Sequence, residues 1–505
     1  MGPMASAAAA NAAVSLERLA PGVPAPLPGF EYPAPRHPSY LRQERTDYVD
    51  ELMPLARSHV RRRYGRSALG NISADDELLI ITYPHQHDAV FEALRRALLE
   101  EGVKRVDRLD MTDLGMDVEE FSAADGWREI SGRLAAMVEE GVEYKASAAA
   151  LKRFLEDRPG YTGVFAGESG RRHWKRAAGK RVRNNWCYAT YEDFISRANG
   201  YPDEVWREVD LKVVQAFANA AKVRVTSPEG TDISWDVTEQ QADLWVRGAW
   251  QSGHILGSTI QGIRFGHPVE TFLEEAKILF PTLNGVVAGT SNHTGYYPHI
   301  AVTIENGMIA GIEGGGKYGE LWAEVVERYK DVQYPGFPYK GWAYFNDCSI
   351  GTNPKSYRQI ETLWNYNDSW TNLPERAQAG VIHFGFGAEH WDQTFLGYAR
   401  EHKLPTMHFP HVHNIFATYE IQQRDTGEWV KLIDKGRLMT LDDPEIVRIA
   451  NTVGTPELLE YDWIPALPGI NYPGDYRRDY AADPVAWIRR DQAGEFAGQA
   501  PTARP

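Results

Sequence analysis

The pattern of apolar and polar positions changes its period once along the chain, and that change organises the rest. Leu78-Leu-Ile-Ile-Thr-Tyr83 is a short apolar run stopped by Pro84. From Asp88 to Glu101 apolar residues recur at helical spacing behind an acidic start, Gly102 closes the segment, and Val103 to Leu109 reads as a second strand. A strand–helix–strand unit of this length joins parallel neighbours, so it predicts a parallel sheet with helices on its faces. A charged, helix-compatible stretch over 42–66 precedes it. Between about 125 and 222 the pattern is mostly that of amphipathic helices. Gly163-Val-Phe-Ala-Gly167 is a short buried-strand candidate, and a closing helix is predicted over Lys212–Ala221. At 222 the period drops to two. Lys222-Val-Arg-Val-Thr226 and Ile233-Ser-Trp-Asp-Val237 alternate on either side of a Ser-Pro-Glu-Gly-Thr-Asp turn, which predicts a β-hairpin. From there to about 460 the chain is strand-rich, with loops of Gly, Pro and Asn.

This reading divides the chain into an Ala/Pro-rich extended arm (1–45), an α/β domain with a parallel sheet (46–225), an α+β, strand-rich metal-binding catalytic domain (226–460) and an extended C-terminal tail rich in Pro, Asp and Arg (461–505). A length of 505 residues exceeds what one core usually serves, which agrees with two domains. No Gly-x-Gly-x-x-Gly follows the first strand, so nothing there argues for a dinucleotide. A net charge of −15 argues against nucleic acid as a partner. Two cysteines, Cys187 and Cys348, exclude a disulfide scaffold and a four-cysteine zinc site, and fit a reducing compartment. The first residues have neither a basic start nor a leucine-rich run, so no secretion signal is expected and the expected location is cytoplasmic. No stretch reaches the roughly 18–20 apolar residues of a membrane span, so no membrane partner is expected.

The chemistry concentrates in the last third. Of 15 histidines, six fall between 383 and 413: His383, His390, His402, His408, His411 and His413. His411-Val-His413 opens a stretch, to Ile421, that reads as a strand. Side chains two apart on a strand share a face, about 7 Å from one another at the backbone, and two imidazoles so placed can converge on one metal ion. A first-row metal with open positions suits such a pair plus one carboxylate; the plainer alternative is a solvated strand face. Asp347 is the candidate carboxylate. It sits in the apolar stretch Ala343-Tyr-Phe-Asn-Asp-Cys-Ser-Ile just before Gly351-Thr-Asn-Pro354. A carboxylate carried inward costs several kcal/mol unless it is paired or bound to a cation; a strand-end aspartate facing water is the alternative. His383, flanked by Val, Ile and Phe, reads equally as a core histidine and as a ligand or a partner of one. Trp342, Tyr344, Phe345, Phe384, Phe386 and Trp391 suit a flat substrate, although core packing is the commoner use of such rings.

At these residues the sequence resembles the aminopeptidase T family of metallo-aminopeptidases, over roughly 225–440. The family's Glu-Leu-Gly-Ile-Gly-x-Asn-Pro is similar to Asp347-Cys-Ser-Ile-Gly-Thr-Asn-Pro354, its Gly-x-x-His-x-Ala-x-Gly to Gly380-Val-Ile-His-Phe-Gly-Phe-Gly387, and its His-x-Asp to His411-Val-His413. Val225 to Asp232 resembles its Gly-Thr-Asp hairpin. The departures matter too. The family's bridging Glu is missing from Pro281-Thr-Leu-Asn-Gly-Val-Val287, His390 stands in place of a Tyr, and His413 replaces the last Asp. A two-metal peptidase site needs bridging carboxylates. The set here is nearer to the superfamily's 2,5-dihydroxypyridine 5,6-dioxygenase-like members, whose iron is held by two histidines and one carboxylate. The resemblance therefore implies a mononuclear non-haem Fe(2+) oxygenase of the ring-cleaving type. Asp347, His411 and His413 would hold the metal, His383 and His390 would serve catalysis, and a small aromatic or heteroaromatic compound and O2 would be the substrates. The alternative is a metallohydrolase using Zn(2+) or Co(2+), with Glu389 as base. A homodimer is also implied.

Overall fold

The computed structural model describes residues 32–37, 45–62, 72–82, 87–115, 142–166, 182–184, 191–248, 250–251, 254–256, 282–292, 295–360, 377–388, 393–405 and 410–497. The early strand–helix–strand unit forms as its pattern predicts. Strands β1 (Glu77–Thr82) and β2 (Arg105–Asp110) run parallel on either side of the helix Asp88–Glu100. Gly102 ends that crossover at φ +91°, a conformation that glycine adopts without strain. With β3 (Gly163–Ala166) and β4 (Val182–Asn184) they make a parallel sheet in the order β2-β1-β3-β4. Residues 78 to 82 of β1 are all buried, as expected of a parallel strand covered on both faces. The helix Val49–Arg61 lays Leu52, Met53, Ala56 and Val60 against Ala89, Ala93 and Ala97 of the crossover helix in one apolar cluster.

The hairpin also forms. Strands β5 (Ala220–Thr226) and β6 (Asp232–Asp236) pair from Lys222↔Asp236 to Thr226↔Asp232. The helix predicted over 212–221 differs: it runs Asp203–Phe217 and stops short of Ala220 and Ala221, which belong to β5. Alanine's helix preference is below 1 kcal/mol per residue. Here Ala220 pairs with Gln423, and the Ala221 carbonyl accepts from Val237 N, so ladder bonds decide the boundary.

After β7 (Trp250–Gln251) and β8 (His254–Leu256) come β9 (Asn284–Ser291), β10 (Tyr296–Glu305) and β11 (Met308–Gly314). Then follow β12 (Phe345–Gly351), β13 (Ile382–Phe386), β14 (His411–Asn414), β15 (Thr418–Gln423), β16 (Trp429–Asp434) and β17 (Arg437–Leu438). They build an eight-stranded sheet, β11-β10-β9-β6-β5-β15-β16-β17, and a five-stranded sheet, β14-β13-β12-β8-β7. The stretch 411–421, which alternation reads as one strand, is two strands in two sheets. Gly436 (φ +87°) passes so near the crossing that a Cβ there would lie 2.6 Å from the Ile415 carbonyl oxygen. Trp235, Trp322, Phe345, Phe384 and Phe386 form part of one large core shared by the two sheets, with Trp342 and Tyr344 among it. Core packing is thus the structural use of five of the six aromatic residues named as substrate contacts; Trp391 lies outside the described residues.

The C-terminal stretch is not the extended surface tail that its composition suggests. Trp463, Leu467, Ile470, Tyr476, Tyr480, Trp487 and Ile488 bury themselves in a third cluster. Its Pro and Asp residues are helix-start signals: Asp475 accepts from Arg478 N, Asp483 accepts from Ala486 N, and Pro484 opens the helix Pro484–Gln492. Of the N-terminal arm only 32–37 and Arg45 lie within the described residues. Arg36 bridges to Ile464, and His37 Nε2 lies 2.8 Å from the buried Asp491 carboxylate. No helix among the described residues is long and apolar enough to cross a membrane.

Burial sets a pH limit on this fold. His59, within the first cluster, donates from Nε2 to the Phe194 carbonyl at 2.9 Å. Desolvation pushes its pKa down to about 4; the Phe194 bond opposes the shift and Arg62 adds to it. The unfolded chain binds a proton near pH 6.5 that the folded chain refuses. Stability is therefore full above about 6.5 and falls as pH drops toward 4, by roughly 3 kcal/mol from this residue. Urea unfolding across pH 7 to 4.5 measures the slope, and His59→Gln, which does not titrate, flattens it; an unchanged slope refutes the assignment.

Candidate metal centre

The three middle strands of the five-stranded sheet bring the predicted residues into register. β13 pairs antiparallel with β14 through His383↔His413 and Gly385↔His411. On its other side β13 pairs with β12 through Ser349↔His383 and Asp347↔Gly385. Directly paired residues share a face, and so do residues two apart. One face therefore carries two rungs, Ser349–His383–His413 and Asp347–Gly385–His411. The other face carries Cys348, Ile350, Ile382, Phe384 and Val412, all in the large core. On β8, His254 pairs with Gly351.

A bulge makes this possible. Plain alternation puts Phe345, Asp347 and Ser349 on one face. The register shifts between Phe345 and Asp347, with Phe345 opposite Phe386 and Asp347 opposite Gly385, so one extra residue, Asn346, is accommodated. Phe345 then joins the core side while position 347 falls in the histidine rows, the re-aiming that bulges provide. Asn346, fully buried, donates from Nδ2 to the Gly387 carbonyl.

The imidazoles meet. His383 Nδ1 and His413 Nε2 are 2.9 Å apart and share a hydrogen bond. The His383 ring centroid is 4.5 Å from that of His411 and 5.1 Å from that of His413. All three are buried to 1% exposure.

The backbone that carries them is held from outside the sheet. β14 is an edge strand. The Tyr318 hydroxyl accepts from His411 N and donates to His411 O, both at 2.9 Å. The Tyr297 hydroxyl, stacked on Tyr318 with centroids 4.3 Å apart, donates to Ser291 O and stands 3.1 Å from His411 O. Tyr318 is aimed by a tight helix start: Gly314, Gly315 and Gly316 all have positive φ, and a Cβ on Gly319 would lie 2.0 Å from Gly314 O. Thr231, from the hairpin motif, accepts from Ala288 N at 2.9 Å and donates to Asn414 Oδ1 at 2.8 Å, while Asn414 Nδ2 donates to Ala288 O. The turn after β12 is fixed as firmly. Thr352 Oγ1 accepts from Trp206 Nε1 (3.0 Å) and donates to the buried Asp210 carboxylate (2.5 Å). Asn353 caps Lys355 N and reaches the Ala198 carbonyl.

Of the predicted residues, the structure brings together His383, His411 and His413, with Asp347 in their register. His390, His408 and Glu389 lie outside the described residues, and so does the side chain of Asp347. His402 is elsewhere, exposed on the helix Gln393–His402 and stacked on Tyr398. The donor types suit a divalent first-row ion, since imidazole with carboxylate is the set such ions take. Among the described residues alone, no three His, Cys, Asp or Glu side chains form a group able to hold a metal. The position at 347 is therefore what a complete set would turn on. Ser349, in the first rung, was missed by sequence reasoning. The signal was present, a serine where the resembling motif has glycine.

No family model matches the chain, and no curated protein matches it. Among solved structures the chain is similar to 2,5-dihydroxypyridine dioxygenase from Pseudomonas putida KT2440, at 13% identity and TM-score 0.38, over 79% of this chain and 99% of that one. It is also similar to wild-type AmpT from Thermus thermophilus, at 14% identity and TM-score 0.38, over 77% of this chain and 99% of that one.

Tyr318→Phe removes the hydroxyl that bonds both backbone atoms of His411. Leaving buried backbone polar groups unserved costs roughly 1–3 kcal/mol, so urea unfolding should show a loss of that size. Tyr297→Phe should cost less, because the His411 carbonyl keeps Tyr318. Equal, negligible losses in both would show that the edge strand does not depend on these hydroxyls.

Proposed function

We propose that this protein is a mononuclear Fe(2+)-dependent oxygenase of the ring-cleaving type, acting on a small aromatic or heteroaromatic compound with O2. The observation that carries the reading is the shared register of Asp347, His383, His411 and His413 on one face of a fixed sheet. His411, His413 and Asp347 would hold the ion. When bound, iron(II) would supply positions at which substrate and O2 meet. Both oxygen atoms enter the product in such a cleavage, so no external reductant is required.

The chain's own residues do the rest. The hydrogen bond between His383 Nδ1 and His413 Nε2 fixes the orientation of the His413 ring, the role that a hydrogen-bonding partner of a metal ligand usually has. His383 in this reading orients His413 and is placed to hold or pass a proton near the substrate. His390 is the second candidate for that work. Burial of the three rings excludes bulk water from the rungs. A homodimer and a cytoplasmic location belong to the same proposal. The second reading, a metallohydrolase with Zn(2+) or Co(2+) in the manner of the aminopeptidases, would use the same histidines with His383 as a direct ligand.

Elemental analysis of protein prepared with each metal, followed by oxygen uptake on dihydroxylated aromatics, tests the proposal. One iron per chain and substrate-dependent uptake are expected; two zinc ions and peptide hydrolysis without uptake would establish the second reading instead. His411→Ala and His413→Ala should each abolish metal retention while circular dichroism stays unchanged. Asp347→Asn keeps shape but loses the only anionic ligand. Changes around the ligands cost about 10- to 100-fold in affinity or activity, and loss of a ligand charge should cost at least that. Full metal content in Asp347→Asn would remove the triad.

A further inference from the structure

Ser349 stands in the same rung as His383 and His413, one strand over from His383. It is fully buried, and its Oγ has no hydrogen-bond partner among the described residues. A buried hydroxyl without a partner costs roughly 1–3 kcal/mol, and a purely structural role at this position would be served equally well by alanine. The resembling motif indeed has glycine there, in Glu-Leu-Gly-Ile-Gly, whereas this chain has Asp347-Cys-Ser-Ile-Gly. A hydroxyl both donates and accepts. It therefore suits a ligand that presents an oxygen, as a hydroxyl or its anion, next to the histidines.

We infer that Ser349 Oγ is a substrate-binding group: it hydrogen-bonds a ring oxygen of a hydroxylated aromatic seated over the histidine rungs. The inference rests on the metal-site reading above and deepens it by naming the substrate class. Directly paired strand residues have Cβ atoms about 4.5–5.5 Å apart, so a ligand oxygen lying between Ser349 and His383 can reach both. The serine then discriminates for an oxygen substituent on the ring. A site built to bond a hydroxyl rejects an analogue that lacks it, because the protein group is left unpaired.

The test uses full-length protein loaded anaerobically with iron(II) and titrated with 4-nitrocatechol, whose absorbance shifts on binding a metal. Wild type is compared with Ser349→Ala and Ser349→Gly. Iron content should be equal in all three. The thermal midpoint of metal-free Ser349→Ala should be unchanged or higher, since no protein hydrogen bond is lost; Ser349→Gly adds the ordinary cost of glycine in a strand. The dissociation constant for the probe should rise roughly tenfold, the equivalent of one hydrogen bond. Equal probe affinity in both variants with iron retained would overturn the role of Ser349 and leave the metal-site reading standing. A lowered thermal midpoint in Ser349→Ala would show that the hydroxyl serves the fold, and would also overturn it. A wild-type protein that retains no divalent metal would remove the metal-site reading and this inference together.

Discussion

The fold's candidate chemistry depends on one short edge strand. β14 carries two histidines in four residues, and among the described residues only one side of it is paired to another strand. An edge strand ordinarily leaves a row of backbone donors and acceptors open to water or to a second chain. Here His411 N and O are met by the Tyr318 hydroxyl, and Asn414 is locked to the hairpin through Thr231. These contacts come from residues 93 and 183 positions away in sequence. The strand is therefore fixed by side chains on the edge where no strand among the described residues pairs with it, and its two imidazoles are carried on that fixed backbone. Metal sites and substrate sites need their groups held to within about 0.5 Å.

The same sheet separates two environments. Its core side is packed with Phe384, Ile350, Ile382 and Val412, joined through Phe345 and Trp235 to the large sheet. Its other side carries the buried Ser349, His383, His411 and His413. The Asn346 bulge keeps the two apart at the point where strict alternation would mix them. Without the bulge, plain alternation would set Phe345 and position 347 on the same face.

The C-terminal segment completes the support. Tyr476 donates to the buried Glu229 carboxylate at 2.6 Å, Thr290 reaches the same oxygen, and Tyr480 bonds Thr290. Glu229 lies two residues before Thr231, so this polar knot steadies the hairpin turn that holds Asn414. His299 contributes from β10, its Nε2 donating to the Glu229 carbonyl. Burial pushes its pKa down to about 4, so it stays neutral at neutral pH. A segment whose composition suggests a tail thus reaches the candidate site through two hydrogen-bonded steps.

What the sequence determined by itself is whatever depends on local period and on neighbours in the chain. The parallel strand–helix–strand unit, the 220–236 hairpin, the strand character of His411-Val-His413 and their shared face all follow from spacing, because side-chain direction in a strand is set by geometry within two residues. The resemblance pointed to Asp347 and His383 in the same way, as positions in short motifs. Tertiary structure decided everything set by partners far away. It divided 411–421 between two sheets, ended a helix at Phe217 because Gln423 claims Ala220, and inserted the bulge that reverses the phase at Phe345. It also turned a Pro- and Asp-rich stretch into capped, buried helix. Most of all, it placed Ser349 beside His383. A pairing between strands 34 residues apart is invisible to any local pattern, since it depends on which of several apolar strands the ladder joins.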